Sequence, residues 1–212
     1  MLRRGISLDG GQGEAMETDI IDALVGIEPG SSLDAIRRRR PQAPDQAQAS
    51  YRALFSPEAV GGVSMVERFA IAAFVTALHG EAEIASFYAN SLTESGAAAE
   101  LRSAIDRAVG AAKGQGPYGS FPPGPLSRED APGPTYRIAT GTRCVLGQRL
   151  AAMFEHTHLL VFHPRDAAPA ELQALLDAGW STTDIVTMSQ VAAFLSFQIR
   201  VVAGLRVLAG TL

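Results

Sequence analysis

From Met16 onward, apolar positions recur at helical spacing along almost the whole chain. Ile20, Ile21, Leu24, Val25 and Ile27 follow a helical period between Thr18 and Ile27, and Pro29 and Gly30 end that run. Ser32 precedes a short segment carrying Leu33 and Ile36 into Arg37–Arg40; Pro41 stops it, and helix resumes over Gln42–Phe55. The stretch Ser64–Gly80 is apolar on nearly every face, and Glu67 stands three residues after Ser64 as in a capping box. A helix of that kind must be buried all round, so Phe69–Leu78 is predicted to form the centre of a bundle. Gly80 allows a break before helices over Glu83–Leu92 and Ala97–Ala112, and helical patterning returns over Arg143–Phe162, Ala168–Ala178 and Ser181–Leu208. The expected class is all-α.

Between these two helical stretches the character changes. Six of the twelve prolines fall between Pro117 and Pro134, and residues 113–142 read as a long irregular connection: a lid, a partner-binding arm or a linker. Residues 1–15, rich in glycine and charge, read as a frayed extension upstream of a natural start at Met16. The two most hydrophobic helices can be aligned, because Gly62-Val63-Ser64 and Gly179-Trp180-Ser181 share a Gly-x-Ser start 117 residues apart. Glu67 then matches Asp184, Ile71 matches Met188 and Leu78 matches Leu195. This suggests two versions of one helical unit, over 16–112 and 143–212, joined by the Pro/Gly connection.

Composition supports packed helices. Hydrophobic residues are 47% of the chain but aromatics only 7%, so the core is built from small and medium side chains. A net charge of −4 offers no positive field for a phosphate backbone, and nucleic acid is not an expected partner. The single Cys144 excludes an internal disulfide and any intramolecular two-thiol reaction. Met1–Gly13 has no apolar stretch of signal-peptide length. The apolar run Ile185–Ile199 is shorter than the ~20 residues of a membrane span and carries Ser189, Gln190, Ser196 and Gln198. A cytoplasmic protein with no membrane anchor is expected.

The stretch Glu67-Arg68-Phe69-Ala70-Ile71-Ala72-Ala73-Phe74-Val75-Thr76-Ala77-Leu78-His79-Gly80 resembles the core helix of the AhpD-like, carboxymuconolactone decarboxylase superfamily. Leu175-Leu176-Asp177-Ala178-Gly179-Trp180-Ser181 and Ala192–Val201 are similar to the C-terminal half of its two-unit, peroxidase-related (alkylhydroperoxidase-like) branch. The resemblance spans roughly residues 16–212 and implies an AhpD-like helical bundle that forms a homo-oligomer, dimer or trimer based. Redox members of that family carry Cys-x-x-Cys at the end of the core helix, a His four residues after the second Cys and a Glu twelve before the first. On this chain those positions are Glu81, Ile84, Tyr88 and Phe69. All four differ. A carboxylate forms no sulfenic acid and an isoleucine resolves none, so family-style thiol peroxidase activity is expected to be absent. Cys144 is the one substitute, at a predicted helix start beside Arg143; a half-buried structural thiol is the plainer reading, and a residual antioxidant role through it the more active one.

His79, Glu81, Glu83 and Tyr88 cluster where such relatives keep their chemistry. They suit a reworked acid/base site, with His79 as base oriented by Glu83, or polar residues capping a helix end. Phe69, Ile84, Gln198 and Arg200 are the candidate pocket residues around them; Arg200 suits an anion site or an interface ion pair. His156, His158 and His163 tempt a metal reading, but His156 and His158 point to nearly opposite sides of a helix, and no metal or cofactor is expected. Arg37–Arg40 are expected to complement a helix dipole and stay solvated, and Gly10-Gly11-Gln12-Gly13 lacks the strand and lysine of a phosphate loop. Two functions follow as expectations. One is a non-peroxidatic binding or assembly member, its partner a small-molecule ligand or a cysteine-bearing paralogue. The other is a cofactor-free acid/base enzyme, decarboxylase- or lactone-type, acting on a small carbonyl substrate.

Overall fold

Side-chain capping places four of the helix starts. In the computed structural model, which describes residues 18–212, Asp19, Ser31, Ser64 and Ser181 each accept backbone N–H bonds in the first turn that follows. The second of these corrects the reading of Ser32, which lies inside its helix while Ser31 caps it. Nine α-helices result among the described residues: α1 (Ile20–Val25), α2 (Ser32–Arg37), α3 (Gln42–Phe55), α4 (Met65–Leu78), α5 (Ala82–Glu94), α6 (Ala99–Ala112), α7 (Thr140–Phe162), α8 (Pro169–Asp177) and α9 (Thr182–Ala209). No strand forms among them, only an isolated bridge between Gly119 and Ala131. The extension over residues 1–15, including Gly10–Gly13, lies outside the described residues.

α4 is the central element, as its all-round apolar surface requires. Ala70, Ile71, Ala72, Phe74, Val75 and Thr76 are completely buried, and α5, α6, α7 and α9 pack around them. Phe74 stacks on Phe154 of α7 with ring centroids 4.3 Å apart. Thr76, the one hydroxyl in that buried set, donates to Ala72 O at 2.7 Å and so leaves no unmet polar group. α7 is broken at Gly147, whose φ of 75° lies where residues with a Cβ are strained.

Both Gly-x-Ser starts form capping boxes, Ser64 with Glu67 and Ser181 with Asp184. They meet in space: a Cβ on Gly62 would stand 2.4 Å from Asp184 Oδ1 and would have to displace that carboxylate from its cap. Arg149 of α7 ties the two together. Its Nε donates to Glu67 Oε1 at 2.9 Å and its Nη1 to Gly179 O at 2.8 Å, while Nη2 reaches Gly62 O. The guanidinium lies 3.7 Å over the Trp180 ring, and Trp180 Nε1 donates back to Arg149 O at 2.7 Å. At their far ends α4 and α9 touch again, His79 Nε2 lying 3.3 Å from Ser196 Oγ, two positions 117 residues apart.

α9 is long and apolar enough to cross a membrane by length and composition. Here one side of it, including Ile185, Met188, Val191, Leu195 and Val202, is buried against helices of both halves of the chain. Arg37 departs from the expectation that Arg37–Arg40 stay solvated: it pairs with Asp19 at 2.9 Å and Asp22 at 2.6 Å, tying α2 to α1.

Candidate functional site

The residues around the α4–α5 junction do not converge on one pocket; they divide into a surface group and a core group. Gly80, at φ 78°, turns the chain, so that His79 ends α4 and Glu81 opens α5. His79 is half-buried beside Ser196. Burial, and then the nearby Arg200 charge, hold its imidazole below the usual range, so it is neutral at pH 7. Arg200 is exposed and donates to Ser196 O at 2.7 Å. Glu83 does not orient His79, because its exposed carboxylate pairs with Arg206 across the α5–α9 contact. Glu81 is half-buried.

Tyr88, Ile84 and Gln198 belong to the core. Ile84, Tyr88 and Gln198 are completely buried, and Tyr88 donates its hydroxyl to Gln198 Oε1 at 2.8 Å. Burial raises the Tyr88 phenol well above its ordinary range, so it stays a neutral donor. Phe69 stacks on Phe55 at 5.3 Å, and Phe55 contacts Tyr88 at 5.2 Å, so an aromatic cluster closes over this pair. Gln198 and Arg200, two residues apart on α9, face inward and outward respectively. Cys144 is exposed on the short turn of α7 before Gly147.

A cavity of about 550 Å³ opens elsewhere, between α7, α8 and the chain around 135–137. His156, His158 and His163 all line it, although the first two lie on opposite sides of α7. His158 stacks on Tyr136 at 4.7 Å and is 3.1 Å from Ala112 O through Nε2; His163 lies 3.0 Å from Asp166 Oδ2 and 3.1 Å from Pro134 O. Tyr136 donates to Ala108 O at 2.9 Å, and its phenol is pushed up to about 12 by burial and by the Glu155 charge. Glu155 pairs with Arg143 and accepts from Ile138 N at 2.7 Å. His156 differs from all of these: it is buried and its Nδ1 has no partner among the described residues. Burial holds it below the usual imidazole range, against the opposing pull of Glu171. Among the described residues no group of three or more His, Cys, Asp or Glu is arranged to hold a metal ion.

Sequence reasoning singled out the three histidines but not Tyr136, Glu155 or Glu171. Glu155, next to His156, was within reach of a sequence reading; Glu171 was not, because only the α7–α8 packing brings it near. No family model, curated protein or solved structure matches this chain.

Proposed function

We propose that the chain is an AhpD-like helical protein that works without thiol redox chemistry, as a binding or assembly member rather than a peroxidase. One observation carries this reading. Where the resemblance would place two thiols, the chain has Glu81 and a completely buried Ile84, backed by the buried Tyr88–Gln198 pair. Nothing there can be oxidised and re-reduced, and Cys144 has no second thiol to resolve it. The test is consumption of an alkyl hydroperoxide with a dithiol reductant, using the wild-type chain and Cys144→Ser. Neither is expected to turn over; turnover that survives Cys144→Ser would sink the proposal.

Self-association fits the outer side of α9. Thr183, Val186, Gln190, Ala193, Phe197, Arg200, Gly204 and Val207 are all exposed and follow one another at alternating three- and four-residue steps. That spacing is the seam of paired helices. A homo-oligomer in the cytoplasm, formed through this seam, is the assembly we favour. Phe197→Glu is expected to lower the mass measured by light scattering, and a wild-type chain that is already monomeric would remove the seam from the proposal.

A second reading, cofactor-free acid/base chemistry on a small carbonyl substrate, draws on one contact: neutral His79 stands 3.3 Å from Ser196 Oγ with Arg200 alongside. It requires turnover of a β-keto acid or lactone that His79→Gln abolishes.

A further inference from the structure

The polar groups lining the α7–α8 cavity are largely spoken for. Glu155 is held by Arg143 and Ile138 N, and Asp166 by His163 and Ser120 N. Two side chains are left over. His156 is only 6% exposed, yet its Nδ1 is shielded from water and bonded to no described residue. Glu171, in the first turn of α8, has one carboxylate oxygen in the same condition. Neither side chain makes a hydrogen bond to another described residue through its remaining polar atom. They are close enough for the Glu171 charge to act on His156 but are not paired with each other. A buried imidazole and a half-buried carboxylate with one shielded oxygen are costly to leave without partners, and such groups are normally satisfied by something.

Charge says what kind of group fits. Among the acids lining the cavity, Glu171 alone has no cationic or N–H side-chain partner among the described residues, and a neutral imidazole lining the same cavity can accept. The complement of two neighbouring acceptors with one uncompensated negative charge is a cation carrying several N–H groups. The stacked Tyr136 and His158 rings add aromatic surface to the same cavity. We propose that the cavity between α7 and α8 binds a small organic ammonium ligand, held by the Glu171 carboxylate and the His156 imidazole. This stands or falls independently of the thiol question at Glu81 and Ile84.

The test uses the full chain and three four-carbon probes of differing charge: 1,4-diaminobutane, 1,4-butanediol and succinate. The chain has four histidines, so their imidazole signals can be followed by nuclear magnetic resonance, with His156→Gln assigning the relevant one. The diamine is expected to move the His156 signal saturably and to bind about tenfold tighter than the diol, because its hydrogen bonds to Glu171 are charge-assisted. Succinate is expected to leave that signal unmoved, and His79, on a different helix, should not respond to any probe. Glu171→Gln should reduce the diamine to the level of the diol, while Glu171→Asp keeps the preference. Equal binding of diol and diamine, a preference for succinate, or a His156 signal that no probe moves would each overturn the proposal.

Discussion

The α4–α5 junction and the α7–α8 cavity both gather polar side chains, but they treat them in opposite ways. At the junction the inward-facing polar groups are enclosed: Tyr88 bonds Gln198 and aromatic rings close over both. At the cavity, His156 and Glu171 are lining residues that each keep one polar atom without a hydrogen-bond partner among the described residues. A polar pair packed without space contributes to uniqueness of the core, whereas polar atoms left unpaired beside a cavity invite an occupant. The difference shows that a gathering of polar residues does not by itself mark a binding site. An unmet hydrogen bond is informative where a cavity adjoins it: Gln198 Nε2 also lacks a partner among the described residues, but it lies in packed core.

The largest effects should come from opening the packed region. Tyr88→Ala is expected to cost about 3 to 5 kcal/mol in chemical denaturation, through lost burial and the cavity left behind. Arg149→Met, which severs the junction of the two helix starts, should cost about 2 kcal/mol by removing donors from Gly179 O and Gly62 O. Tyr88→Phe should cost about 1 to 3 kcal/mol, since Gln198 Nε2 already lacks a partner and its Oε1 would lose one. Adding Gln198→Leu to that variant should restore most of the loss. If Tyr88→Phe is silent, the junction is not packed as described.

At the cavity the same treatment should be mild. His156→Gln and Glu171→Gln are each expected to change stability by less than about 1 kcal/mol, because neither removes a hydrogen bond within the protein. A large loss in either would mean that the pair holds the fold together and the contrast between the regions disappears.

The smallest effects are in pH. Burial lowers His79, His156 and His158, so the folded protein binds fewer protons than the unfolded chain in mildly acid solution. The stability this represents is present above the unfolded value of about 6.5 and is lost as pH falls through the lowered folded values. Glu171→Gln removes the neighbour that raises His156 and should lower its midpoint further; Arg200→Gln removes a neighbour that lowers His79 and should raise that one. Titration of the imidazole resonances distinguishes the two shifts.

Most of the fold was legible in the pattern of residues. Gln42–Phe55 is helical as read, and the Ser64 and Ser181 starts carry the capping boxes expected of them, because periodicity and capping are local properties of the chain. The all-round apolar surface of α4 also required its central burial. The candidate site was legible only in part. His79 and Glu83 are near neighbours in sequence, yet Glu83 is claimed by Arg206, 123 residues away. Nothing in the spacing of Gln198 and Arg200 said which would face the core.

The sequence by itself determined an all-helical chain, its central helix, its two capped starts and the lack of a thiol pair, since these depend on residue type and on spacing within one helix. Only the tertiary structure decided that Tyr88 and Gln198 are sealed in, that Arg149 joins the two starts, and that His156 meets Glu171 across a cavity. Whether a polar atom is satisfied depends on which distant segment packs against it, and no local pattern carries that information.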